Sequence, residues 1–168
     1  MKIGLISDTH GRLDPALWEL FDDVDAIIHA GDWDDYSLAT VLATIAPVYG
    51  IRGNVDPPSR RFPDRLKTDI GGLAVYVEHL FDTSAPSLHG FVTRNPDVRL
   101  VVFGHTHRVF LEQAGNTVVV NPGSATRPRG GSPSVGIATI ENATLQSVTI
   151  HDLATAGNPV VVRFGGGG

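Results

Sequence analysis

The first third of the chain sets the tightest limit on its fold. Three short apolar runs, "KIGLIS", "AIIHAGD" and "VYGIRGN", are separated by two segments with helical periodicity. In "DPALWELFDDV", Asp14 reads as an N-cap with Pro15 at the first helical position, and Leu17, Leu20, Phe21 and Val24 fall on one face. In "DDYSLATVLATIA", Leu38, Val41, Leu42 and Ile45 form a stripe that Pro47 ends. Short strands alternating with single helices imply parallel pairing. A right-twisted strand feeding a right-handed helix packs back on its sheet only through a right-handed crossover.

After Asp56 the pattern changes. "PPSRRFPDRL" reads as an exposed loop, and "LKTDIGGLAVYVEH" predicts a hairpin turning at Gly71-Gly72. "SAPSLHGFVTRNPD" predicts a short helix broken by Pro96, and "RLVVFGH" a strand. Two further alternating stretches, "RVFLEQAGNTVVVNPG" and "SVGIATIENATLQSVTIHDL", predict antiparallel strands with turns marked by Gly115-Asn116 and Glu141-Asn142. The expectation is a largely parallel half joined to a mostly antiparallel half, helices outside. At 168 residues this suits one domain, over residues 1–163, with a flexible glycine tail at 164–168.

Composition narrows the chemistry. The formal charge is −5 and no lysine- and arginine-rich stripe is present, so nucleic-acid binding is not expected. There is no cysteine, which excludes disulfides, thiolate metal sites and cysteine nucleophiles. The apolar start "MKIGLISDTH" is interrupted by Asp8 and is too short for a signal-peptide core. No apolar run approaches the roughly 18 residues a membrane helix needs, so no membrane partner and a cytoplasmic location are expected.

The strand ends carry the functional signal. In order they are Asp8-Thr9-His10, Gly31-Asp32, Gly53-Asn54-Val55-Asp56, Glu78-His79, Gly104-His105-Thr106-His107 and, later, Asn121-Pro122-Gly123-Ser124. Ligands of α/β sheets gather at the carboxyl ends of strands. Glycine before several of the polar residues suggests sharp backbone turns. The two-residue spacing of Asp8 with His10, and of His105 with His107, would put both members of each pair on one side of an extended backbone. Carboxylate, amide oxygen and imidazole donors suit Mn²⁺, Fe²⁺, Zn²⁺, Co²⁺ or Ni²⁺. Seven such ligands exceed the needs of one ion and fit two ions about 3.5–4 Å apart that share a carboxylate.

Read in order, D-x-H, GD, GN-x-D, H and GHTH resemble the calcineurin-like metallophosphoesterase superfamily. The small size, GHTH and NPGS look most like its minimal bacterial and archaeal phosphodiesterase branch. The resemblance covers the chain from Met1 to about Ile150. It implies an α/β/β/α sandwich of two mixed sheets flanked by helices. It places Asp8, His10 and His107 on a first metal, Asn54, His79 and His105 on a second, and Asp32 across both. The cofactor expected is a pair of divalent ions, Mn²⁺ first, with Zn²⁺, Fe²⁺, Ni²⁺ or Co²⁺ as alternatives. The reaction implied is hydrolysis of a phosphodiester by a metal-bridging hydroxide, with Asp32, Asn54, Asp56 and His105 in the catalytic set. Asp56 either hydrogen-bonds a ligand or solvent there or closes the turn. The substrate expected is a small phosphodiester, nucleotide-derived compounds among the candidates, and a homo-oligomer stays open. The alternative is a non-catalytic or weakly catalytic metal-binding scaffold of the same fold, holding a protein or nucleotide partner.

Two positions depart from the pattern. Many larger relatives carry a histidine after the asparagine of the third motif, thought to protonate the leaving group, and the small branch often has cysteine; here it is Val55. The family commonly has glycine after the histidine of the fourth motif; here it is Leu80. His89-Gly90 competes with His79, but only fifteen residues separate His89 from His105, and a helix and a strand must fit between them. His29 reads as a core histidine or a partner to a ligand, and His151 as exposed. Asn121 is expected to orient neighbours. Arg127 and Arg129 reach a phosphate or stay solvated, and Arg60 and Arg61 are surface charges.

Overall fold

Two mixed sheets lie face to face in the computed structural model, which describes residues 1–155 and 159–163. The predicted glycine tail lies outside the described residues. The chain runs β1 (Lys2–Ile6), α1 (Leu17–Leu20), β2 (Ala26–His29), α2 (Ser37–Leu42), β3 (Val48–Gly50), β4 (Arg65–Ile70) and β5 (Leu73–Glu78). It continues with α3 (Ala85–Arg94), β6 (Leu100–Val102), β7 (Val109–Ala114), β8 (Thr117–Pro122), β9 (Ser134–Glu141), β10 (Thr144–Asp152) and β11 (Val160–Arg163). One sheet has the order β11-β10-β9-β1-β2-β3 and the other β4-β5-β6-β8-β7.

Side-chain alternation explains the layers. On β1, Ile3 and Leu5 face inward with Ile28, meeting Val75, Val77, Leu100, Val102, Val118 and Val120 of the opposite sheet. Ile6 and Ile27 face outward and pack with Leu17, Phe21 and Leu42 from the two short helices. On the far side, Val101 and Val119 pack with Leu88 and Phe91 of α3. Strands covered on both faces read as continuous apolar runs, as "LVV" and "TVVV" do. The four layers are the α/β/β/α sandwich implied by the sequence.

Several local expectations need correction. The antiparallel segments do not form a separate half: β9 returns to pair with β1, and β6 is parallel to both β5 and β8. The first helix shrinks to Leu17–Leu20 with Ala16, not Asp14, at its N-cap; the Asp14 carboxylate accepts the Ala16 N–H (2.9 Å) in the turn before it. Val41 is exposed on α2, where Ala39 and Leu42 supply the buried stripe. His151 is half-buried on β10. Among the described residues no helix is long and apolar enough to cross a membrane.

The last hairpin turns at Asn142-Ala143, one residue later than expected, with φ of 50° and 59°. Alanine in this left-handed conformation carries a steric penalty that asparagine tolerates better. Ala143→Gly is therefore expected to stabilise the fold by about 0.5 kcal/mol despite its greater unfolded-state freedom. The midpoint of urea unfolding checks this, and a lower midpoint would contradict it.

Candidate metal centre

The loops leaving β1, β2, β3, β5 and β6 meet at one place. The first two are zipped by backbone bonds from Asp8, His10 and Gly11 N–H to the carbonyls of Gly31, Asp32 and Trp33 (2.7–3.1 Å). The chain then turns through the polar residues themselves. Asp8, His10, Asp32, His105 and His107 have φ of 53°, 47°, 58°, 68° and 57°. The two-apart pairs are thus not presented by extended backbone, as expected from spacing, but by single left-handed residues. Such strain persists where surrounding bonds over-determine it, which is common at functional sites.

Each side chain is aimed by a fixed partner. Asp8 is fully buried, accepts from Ser7 Oγ–H (2.7 Å) and receives the His105 N–H (3.2 Å). Burial pushes its carboxyl pKa up, against the Ser7 bond and the nearby rings of His79 and His107. His107 Nδ1 donates to the Arg127 carbonyl (2.6 Å), leaving Nε2 3.2 Å from Asp8 Oδ1. His10 Nδ1 faces Asp34 Oδ1 (3.1 Å), leaving its Nε2 3.3 Å from His107 Nε2. One ligand atom each from Asp8, His10, Asp32 and His107 lies within 4.8 Å of the others.

The other flank is built the same way. His79 Nδ1 donates to the Ala30 carbonyl (2.6 Å), and its buried Nε2 has no hydrogen-bond partner although Asp32 Oδ1 is 3.2 Å away. Asn54 Oδ1 lies 2.9 Å from His105 Nδ1 on the open side. Asp32 is half of both flanks: Oδ1 faces His79, and Oδ2 is 4.0 Å from His10. Burial would raise the Asp32 pKa, but the His79 ring, the Val55 N–H and His10 together hold it down. Burial likewise favours neutral His79, and Asp32, Asp8 and the Ala30 carbonyl outweigh it, raising that pKa.

Lone pairs on imidazole nitrogens and carboxylate oxygens repel unless positive charge lies between them. A proton can do this for one pair, but the Asp8–His10–Asp32–His107 group has four such atoms together. The orphaned His79 Nε2 adds a further lone pair without a partner. This set of hard oxygens and borderline nitrogens, each oriented by an outer hydrogen bond, fits divalent transition metals.

Other expected residues take different places. Asp56 does not face the cluster. Its buried carboxylate accepts from the N–H groups of Trp33 (2.8 Å), Asp34 (3.0 Å) and Gly53 (2.7 Å), and so ties the β3 exit to the β2 exit. His89 is exposed on α3. Asn121 Nδ2 donates to the Gly104 carbonyl (2.7 Å) and Thr106 Oγ1 (3.1 Å), shaping the GHTH turn. Arg127 and Arg129 line a cleft of about 250 Å³ together with His10, Asp32, Asn54, Val55, His105 and His107. Sequence reasoning missed Asp34, Ser7 and the carbonyls of Ala30 and Arg127. Asp34 was visible in "GDWDD", but a carbonyl that aims a ring has no sequence signature.

His29 is a core residue. It stacks on Trp33 with centroids 3.4 Å apart, receives the Gly31 N–H at Nδ1 (3.2 Å) and lies 3.0 Å from Thr9 Oγ1 through Nε2. Burial holds its pKa well below the ordinary 6.5. Folding therefore favours the neutral ring. That contribution is fully present above the unfolded-state value and is lost as pH falls below it. The His29 ring resonance is expected to stay unmoved in NMR spectra from pH 8 down to about 5.5, a range in which an unperturbed imidazole titrates. A normal titration curve would contradict the neutral assignment.

A phosphoesterase-type sandwich with a carboxylate–imidazole cluster at its strand ends defines the class. Residues 1–143 match the family described as the calcineurin-like phosphoesterase superfamily domain, and the chain belongs to that family. It is 32% identical over 165 residues to a probable metallophosphoesterase of Methanothermobacter thermautotrophicus, covering 90% of this chain and 92% of that one. It is 36% identical over 181 residues to a phosphodiesterase of Escherichia coli strain K12, covering 90% and 94%. In fold it is similar to Entamoeba histolytica Vps29 complexed with Zn²⁺, with a TM-score of 0.83 at 20% identity over 98% of this chain and 100% of that one.

Proposed function

We propose that the chain is a two-metal phosphodiesterase, carried by a single domain over residues 1–163. The observation that carries this reading is Asp32, whose two carboxylate oxygens turn toward different histidines. Asp8, His10, His107 and Asp32 would hold one divalent ion, and Asp32, Asn54, His79 and His105 the other. When bound, two such ions acidify a water nucleophile and neutralise charge on phosphoryl oxygens. The protein's own part is orientation: Asp34, Arg127 and Ala30 fix the imidazoles, and Asp56 fixes the two loops. Arg127 and Arg129, on the cleft wall, suit a phosphoryl dianion or monoanion. Mn²⁺ is the ion proposed first. The relative named a phosphodiesterase supports a diester reaction, and a neighbour of the same fold is complexed with Zn²⁺.

The test is hydrolysis of bis(p-nitrophenyl) phosphate by purified protein with added Mn²⁺, against chelator and against His79→Ala and His107→Ala. Metal-dependent turnover, lost in both variants, is expected. Turnover that survives both would overturn the site, and no turnover with Mn²⁺, nor with Zn²⁺, Fe²⁺, Ni²⁺ or Co²⁺ in its place, would overturn the activity.

Val55 lines the cleft, is 53% exposed and can donate no proton. General-acid help is typically worth about 10²–10⁴-fold, and esters with acidic leaving groups need it least. Aryl phosphodiesters are therefore expected to show kcat at least about 10²-fold above alkyl ones. Equal kcat for nitrophenyl and alkyl diesters would show that a proton donor exists.

A further inference from the structure

A second cleft, of about 720 Å³, opens beside the metal cluster and shares Asn54 and His79 with it. Its walls come from the loop after β3 and the facing ends of β4 and β5. Four charged side chains line it as two matched pairs. Arg52 Nε is bonded to Asp64, and Arg65 Nε to Glu78 Oε1 at 2.6 Å. Arg65 and Glu78 are cross-strand partners in the β4–β5 register, and Tyr76 O–H holds the other Glu78 oxygen at 2.9 Å. The lining thus offers hydrogen-bonding edges without net charge. Leu80 lies on the same wall with 55% of its surface exposed.

The metal cleft itself is the smaller of the two, at about 250 Å³. The neighbouring cleft is within the range that holds small organic ligands. We propose that it is the subsite for one ester arm of the substrate, and that it selects an uncharged arm bearing a flat ring with polar edges, the class a nucleoside represents. Leu80 packs against the ring, the paired Arg52–Asp64 and Arg65–Glu78 edges meet its hydrogen-bonding groups, and Asn54 and His79 mark where the arm joins phosphorus. This deepens the phosphodiesterase reading and rests on it for the attachment point.

Two measurements test it. In the first, diesters with a common p-nitrophenyl leaving group carry a methyl, a choline or a thymidine 5′ arm. The thymidine arm is expected to exceed the methyl arm at least tenfold in kcat/KM, and the cationic choline arm to give no gain. Leu80→Asp and Arg65→Ala should each bring the thymidine-to-methyl ratio toward one. In the second, thymidine alone is titrated into metal-free, ¹⁵N-labelled protein. Shifts are expected at the amides of Arg52, Arg65 and Leu80, and they should weaken in Leu80→Asp. A wild-type ratio near one, or a ratio unchanged in both variants, overturns the subsite. So do thymidine shifts elsewhere only. Thymidine shifts at those three amides without hydrolysis of any diester would uphold the cleft and overturn the phosphodiesterase reading instead.

Discussion

Asp32→Asn is expected to abolish measurable diester hydrolysis, with a fall in kcat/KM on the order of 10³-fold or more. The substitution keeps the shape of the side chain and can still accept the Val55 N–H, so the fold is expected to survive. What it removes is the negative charge that faces His79 through one oxygen and His10 through the other. An amide also presents an NH₂ group to one flank, where a donor to a cation is needed. Both proposed ions lose a ligand in one step, so bound metal measured by elemental analysis should fall along with the rate. Asp34→Asn is the informative contrast. The Asp34 carboxylate bonds only the far nitrogen of His10 and is exposed, so the substitution should cost about 10- to 100-fold in metal affinity and be rescued by excess Mn²⁺. If Asp32→Asn stays within tenfold of the wild type, or is rescued by metal as Asp34→Asn is, the bridging role is wrong.

The sequence made the architecture legible where its signals are local and strong. Alternating strands and helices up to Asp56, and the Gly71-Gly72 hairpin, follow from periodicity and turn chemistry, and the structure has both. The parallel placement of β6 was hidden, because "LVV" is apolar on both faces and three residues long in any topology. At the centre, motif order names residues that the structure brings together, but not the manner of their presentation. Two-residue spacing on an assumed strand predicts pairs on one side of an extended backbone, whereas Asp8, His10, His105 and His107 all sit in left-handed conformations, and His105 faces Asn54 while His107 faces Asp8. The sequence leaves Asp56 two roles, a bond to a ligand or solvent in the site or closure of the turn. Only the positions of three backbone N–H groups reveal where its oxygens are engaged. The glycines divide in the same manner. Gly31 has φ of +93°, as a turn-maker should, whereas Gly53 and Gly104 are not in the left-handed region and serve a different need.

That need is space, and it makes Gly104→Ala the second large effect expected. A methyl group on Gly104 would overlap Ser7 Oγ, sit 2.8 Å from Asp8 Oδ2 and 3.0 Å from His79 Nδ1. All three neighbours are buried, and each is already committed: Ser7 to Asp8, Asp8 to the His105 N–H, His79 to the Ala30 carbonyl. None is the free end of a flexible chain that can swing aside. Overpacking of this kind costs about 1–3 kcal/mol, and breaking the Ser7–Asp8 bond inside a buried network adds about 1 kcal/mol more. A drop in melting temperature of several degrees is expected for a chain of this size, with metal affinity lowered because Asp8 and His79 are displaced together. Gly90→Ala separates this from a general intolerance of added bulk. Gly90 lies within α3, and a methyl there meets only the end of the Arg94 side chain, at 3.1 Å. Glycine inside a helix costs about 0.5–1 kcal/mol relative to alanine, so this variant should gain stability. One chemical change is thus expected to act with opposite sign at two positions, read by calorimetry on the metal-free protein. If Gly104→Ala melts at the wild-type temperature and binds metal normally, then β1, β5 and β6 do not meet as closely at this point as their packed exits require.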